Sequence, residues 1–205
     1  MPTRSPSTLP PPASSHGPEV RARHPQTMLK LTRGVAPAVY PSIAAALSDH
    51  TREVLDSAIP MAWIPMAMDV EVMEAVALKL GPATTAQLVE ARQREEMGSA
   101  LFDGFVKMAL RIFGATPSVM VKRIPSGWPQ LFRDAGTAEV VSNEQGEAMV
   151  RFHGVPPVCI ESSAWMAALP VGLRMLYELV NVKGTVDCKI EDPASGTVLL
   201  TFRWH

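Results

Sequence analysis

The sequence predicts an α+β fold, with an N-terminal helical half packed on a four-stranded antiparallel sheet in the order ββ–helix–ββ. Three observations carry this. Apolar residues recur at helical spacing from about 35 to 134, the period shortens to two after Gly136, and two strand pairs then flank a long apolar helical stretch. With 205 residues, 47% hydrophobic and 19% charged, the chain can bury one substantial core. Its mean hydropathy of +0.10 leaves room for apolar surface kept for a ligand or a partner.

Residues 1–30 read as a disordered leader and 31–205 as a single domain. Residues 1–27 carry seven prolines together with Ser5, Ser7, Ser14 and Ser15, too little apolar area to offset their ordering entropy. Pro10-Pro11-Pro12 stands where a signal peptide would have its apolar segment, so the expected location is cytoplasmic. Whether translation starts at Met1 or Met28 is open, because ordered-looking sequence begins near Met28.

The helical half follows in order. Ile43, Leu47 and Val54-Leu55 indicate two short helices, with Ser48 or Asp49 as the cap between them. Trp63-Ile64-Pro65 interrupts them, since a residue before proline avoids the α region. A helix then starts at Pro65 with the stripe Val70, Met73, Ala77 and Leu80, and Gly81-Pro82 stops it. A more polar helix runs from about Thr85 to Met97. Leu101–Phe113 has the widest apolar stripe and reads as the central helix. Thr116 is an N-cap with Pro117 at the first helical position, and Pro125 should kink or break the helix before Trp128.

Strands are expected at 137–142 and 148–153, joined through Asn143-Glu144-Gln145-Gly146. Ala148, Val150 and Phe152 share one face of the second. A helical stretch from about Ile160 to Val182, interrupted by Pro170, precedes strands at 185–191 and 197–204. Val198, Leu200, Phe202 and Trp204 form the inward set of the last strand.

Charge and motifs exclude several functions. A net charge of −1 provides no field for nucleic acid or an anionic membrane, although residues 1–34 hold five basic residues against Glu19 alone. Cys159 and Cys188 make no disulfide framework, and Cys188 alternates with Val186 and Ile190 as a buried thiol. Of the histidines, only His50 and His153 sit inside the expected domain, and no Cys-x-x-Cys, His-x-x-x-His or Glu-x-x-His spacing supports a metal. There is no Gly-x-Ser-x-Gly elbow, no Ser-x-x-Lys and no phosphate-cradling loop. Glu95-Glu96 and Glu191-Asp192 are neighbours in sequence and read as solvated pairs. Lys122-Arg123 with Trp128 is too small a basic-aromatic set for nucleic acid and reads as a helix end docked on the sheet.

Several motifs in order resemble one family: Trp63-Ile64-Pro65, the run Pro117 to Pro125 ending at Trp128, Phe132-Arg133 to Gly136 with Glu139-Val140-Val141, and Phe202-Arg203-Trp204. It is the uncharacterised paralogous family of about 200 residues expanded in myxobacteria, and the resemblance covers about residues 35–204. By architecture that family is similar to the vinyl-reductase-type sensory domains, the TRAPP subunits and, more loosely, the haem nitric-oxide-binding domains. The resemblance implies an α/β core with a hydrophobic pocket, often dimeric, and provides no catalytic residues to carry over. The Tyr-x-Ser-x-Arg motif that holds haem propionates in the last group is absent, and the vinyl-reductase-type zinc site would need more cysteines than this chain has. No cofactor is expected.

Twelve methionines suit a pliable apolar pocket as well as ordinary core filling. Candidate pocket residues are Met73, Phe105, Met108, Met120, Trp128, Met166 and Met175. The expected function is a non-enzymatic sensory or regulatory module binding a small apolar ligand or a protein partner. The alternative is a structural subunit that dimerises without ligand. A homodimer is expected through Ile160–Val182 or Leu101–Phe113, because Trp165, Met166, Leu169, Leu173, Leu176 and Tyr177 cannot all face one sheet.

Overall fold

The computed structural model describes residues 17–97 and 116–205. The central-helix segment Leu101–Phe113 lies outside them, and so do Phe105 and Met108.

Regular structure starts earlier than proline content suggests. β1 (Glu19–Arg21) pairs antiparallel with β2 (Trp63–Pro65) and with β3 (Phe132–Arg133), making a three-stranded sheet in the order β2-β1-β3. Val20, Ala22 and Met28 are fully buried. Residues 19–30 of the expected leader thus carry β1 and most of the first helix, and a chain starting at Met28 would lack β1. Three residues are too short to show a strand period. What holds β1 is two partners far away in sequence. α1 (Arg23–Val35) follows, and Pro25 falls in its first turn, where its missing N–H costs nothing.

α2 (Tyr40–Ala44) and α3 (Asp49–Ser57) are the two short helices, and Ser48 caps the second by accepting the Thr51 N–H at 3.2 Å. α4 (Met66–Met97) begins one residue after Pro65 and buries Val70, Val72, Met73 and Val76. Gly81 breaks its course with φ 76° and ψ 169°, a conformation that an L side chain rarely adopts, and Pro82 restarts the helix beyond it. In α5 (Pro117–Val121) Thr116 accepts the Val119 N–H at 3.3 Å. Pro125 does not kink that helix; it occupies the first turn of a new one, α6 (Ile124–Leu131).

The large sheet contains β4 (Thr137–Glu144), β5 (Glu147–His153), β6 (Gly184–Asp192) and β7 (Thr197–Trp204) in the antiparallel order β4-β5-β7-β6. Register sets Ala148 opposite Phe202, Val150 opposite Leu200 and Phe152 opposite Val198. All six side chains are fully buried. Cys188 is half-buried because β6 is an edge strand, and Trp204, the last residue of β7, is also half-buried. The opposite face is laced by Arg151–Glu191 at 2.8 Å, Arg203–Glu147 at 2.8 Å and Arg203–Asp187 at 2.6 Å.

Between the strand pairs run α7 (Pro157–Glu161) and α8 (Ser163–Leu179), the latter capped by Ser162, which accepts the Trp165 N–H at 3.2 Å. Contrary to the expected interruption, α8 continues through Pro170. The lost helical hydrogen bond costs about 3 kcal/mol, and burial of Met166 and Leu169 beside it offsets that. α8 is sandwiched between α4 and β6. Trp165, Met166, Leu169 and Tyr177 are buried and Leu173 and Leu176 half-buried, so the chain itself covers most of the helix circumference.

Candidate functional site

A cavity of about 170 Å³ lies among the second half of α4, the α5–α6 turn, β3 and α8. Its wall is mostly apolar and aromatic. Met73, Met120 and Trp128, three of the residues singled out in the sequence, line it. Met166 and Met175 are buried in α8 but are not among its described lining residues. Leu169, Leu173 and Leu176 contribute one side from α8, and Gly172 lets α4 approach: a Cβ there would come within 2.9 Å of the Gln93 amide nitrogen.

Aromatic rings fix the floor. Trp128 sits 4.2 Å from Phe132 and meets Phe152 of the sheet edge-on at 4.7 Å. Its indole N–H donates to the Ala135 carbonyl at 3.2 Å, so it is held by both packing and a hydrogen bond. Phe132 in turn stands edge-on to His24 at 5.6 Å and to Trp165 at 6.4 Å.

One wall is polar, with Asp69 buried directly behind it, and no sequence motif points to this cluster. Asp69, in the first turn of α4, is wholly buried. Its Oδ1 lies 2.9 Å from His24 Nδ1, and its Oδ2 accepts the Trp165 indole N–H at 3.0 Å. Arg92 Nη1 stands 3.8 Å from the same Oδ1 and 3.8 Å from the Met73 sulfur. Burial alone would raise the Asp69 carboxyl. The charges of His24 and Arg92 and the hydrogen bonds from His24 and Trp165 overcome it and hold Asp69 below the ordinary aspartate range. An ionised Asp69 requires the proton on His24 Nδ1, so this ring donates to it.

His24, Arg92, Glu96 and Arg123 all line the cavity. His24 falls inside the expected leader. Glu96, read from sequence as solvated, is 2% exposed. Only its neighbour Glu95 is on the surface, paired with Lys30 at 2.6 Å. At 3.6 residues per turn, successive side chains point about 100° apart, so adjacent glutamates can have opposite environments. The sequence does hold one signal for this wall: Asp69 and Arg92 lie on a helix whose other inward residues are mostly apolar, where a lone charge needs an internal partner.

The remaining ionisable candidates lie elsewhere. His50 is exposed on α3, and His153 is exposed, 3.1 Å from Glu139 on the solvent face of the sheet. Burial, and to a lesser degree the Asp69 charge, push the Cys159 thiol up, while burial raises Cys188 to about 11, so both are protonated thiols at neutral pH. Among the described residues no group of three His, Cys, Asp or Glu side chains could hold a metal ion, and no helix is long and apolar enough to cross a membrane.

No family model matches the chain, and no curated protein matches it. Its fold does match solved structures. The H-NOX protein from K. algicida, in its Fe(II) unliganded form, superposes with a TM-score of 0.62 over 90% of this chain and 96% of that one, at 11% identity. A point mutant of that same protein gives 0.58 at 9% identity over the same shares. An H-NOX protein from S. oneidensis in the Fe(II)NO ligation state gives 0.52 at 10% identity, over 90% and 99% of the two chains. The chain thus has the fold of H-NOX domains; of the three types set beside the myxobacterial family by architecture, this is the one expected most loosely, and these matches are to it and not to the vinyl-reductase or TRAPP types.

Proposed function

We propose that this chain is a non-enzymatic sensory or regulatory module that binds a small apolar ligand in the cavity between α4, α6 and α8. The observation that carries the reading is the cavity itself, about 170 Å³ with an aromatic and aliphatic wall and a few convergent polar groups. The fold likeness to H-NOX domains supports it only as architecture, because fold does not imply function. The myxobacterial-type family, which rests on the sequence motifs, and a cytoplasmic location, which rests on composition, belong to the same proposal.

The K. algicida and S. oneidensis H-NOX proteins hold iron, as Fe(II) and Fe(II)NO. The described residues here do not fit a haem. A cavity of about 170 Å³ is close to the ~150 Å³ that accommodates benzene, and a porphyrin has several times benzene's atoms. The one imidazole among the described lining residues is turned edge-on to Phe132 and tied to Asp69.

Native mass spectrometry of the purified full chain tests the proposal. A small molecule retained with the protein and released on unfolding is the expected result, and a protein that neither retains nor takes up any small apolar compound overturns it. Homodimerisation is the second reading. It is favoured by Leu78, which is 78% exposed beside a shallow groove of about 640 Å³ formed by α4 and α8. Light scattering across micromolar concentrations decides it, and a constant monomer mass refutes it.

A further inference from the structure

We infer that the cavity recognises a small monocarboxylate, with an apolar body of about six carbons against Met120, Trp128 and Leu169 and its carboxylate on Arg92. This rests on the reading that the cavity takes a small apolar ligand, and it names the head group. Arg92 lines the cavity with its side chain 4% exposed. Its Nε–H is buried and has no hydrogen-bond acceptor among the described residues. Its nearest described carboxylate, Asp69, is 3.8 Å away and already takes His24 at 2.9 Å and the Trp165 N–H at 3.0 Å. The other close contact of the guanidinium is a thioether sulfur, a weak acceptor.

A guanidinium cannot lose its charge in a protein, so it cannot relieve its burial by deprotonation. A buried cation with an empty donor is unfavourable until an acceptor arrives. The planar donor fork of arginine matches a carboxylate, and the charge-assisted pair is the strongest available. Arg123 brings a second cation to the same lining against Glu96, so an incoming monoanion does not meet a wall of net negative charge. The cavity sets the size of the body: its volume of about 170 Å³ compares with the ~150 Å³ that holds benzene.

Titrating the full chain with hexanoate and with hexanol, read by the fluorescence of Trp128 and Trp165 on the cavity wall, tests this. Hexanoate should bind about ten- to a hundredfold tighter than hexanol at neutral pH. Arg92→Met should abolish that preference while hexanol binding persists. If Arg92→Met does not fold, Arg92→Lys serves: it removes the Nε–H and should weaken hexanoate several-fold with hexanol unchanged. Equal binding of the two probes to the wild-type chain overturns the inference and leaves the apolar-pocket reading standing. So does a preference that survives both substitutions. Binding of neither probe at millimolar concentration overturns both readings.

Discussion

The sheet-facing core and the α1–α4–α8 junction are both buried, yet they are built from opposite materials. Beneath the sheet, Ala148, Val150, Phe152, Val198, Leu200 and Phe202 are wholly apolar and pair across β5 and β7. At the junction, His24, Asp69 and Arg92 are equally inaccessible and carry charge or hydrogen-bonding groups. An apolar core is stabilising in proportion to its area. A buried ionic cluster is at best neutral against apolar residues of the same shape, and becomes strongly destabilising when one member is removed. The first region holds the fold together. The second is kept at a cost, which is the pattern expected where a cavity has a chemical task.

The largest test removes a whole segment that the junction depends on. Deletion of residues 1–27 takes away β1 and His24, so the truncated chain should lose its cooperative melting transition. A soluble truncate that melts like the full chain would return residues 19–27 to the status of leader. Truncation before Val198 should do the same from the other end, by removing the strand that β5 and β6 share.

Single substitutions then separate the regions. Phe202→Ala should cost about 3–5 kcal/mol in denaturant unfolding, from lost burial and the cavity left behind. Asp69→Ala should cost a similar ~3–5 kcal/mol although it removes far less apolar area, because Arg92 is left buried without its carboxylate. An Asp69→Ala penalty below that of an ordinary surface substitution would show that the junction relaxes and rehydrates.

The pH dependence sharpens the comparison further. A carboxyl whose folded pKa is depressed contributes stability above its unfolded pKa and loses it as pH falls through the folded value. Asp69 is such a group, through its His24 and Arg92 neighbours and the Trp165 hydrogen bond acting against burial. The stability difference between wild type and Asp69→Asn should be constant at neutral pH and shrink below about pH 4. Phe202→Ala should show no such trend. The smallest effect belongs to the exposed pair Arg94–Glu178, held at 2.7 and 2.9 Å with both side chains half-exposed. Glu178→Gln should change stability by only about 0–1 kcal/mol, less still at high salt.

Sequence alone was sufficient for what depends on near neighbours. The alternation in 148–153 and 197–204 determined which residues face the core, because a strand period of two is local. Ser48, Thr116 and Gly81 marked helix starts and a break through hydrogen bonds and dihedrals that reach only three or four residues. Pro125 and Pro170 are ambiguous in sequence, because whether proline breaks a helix, starts one or is carried through it depends on what packs beside it. Only the tertiary structure decided β1, whose partners lie about 45 and 114 residues away, and the polar cluster at the cavity. His24, Asp69, Arg92 and Trp165 come from three separate helices. Nothing local to any one of them announces the others, and a buried charge is tolerated only where the fold brings its partner.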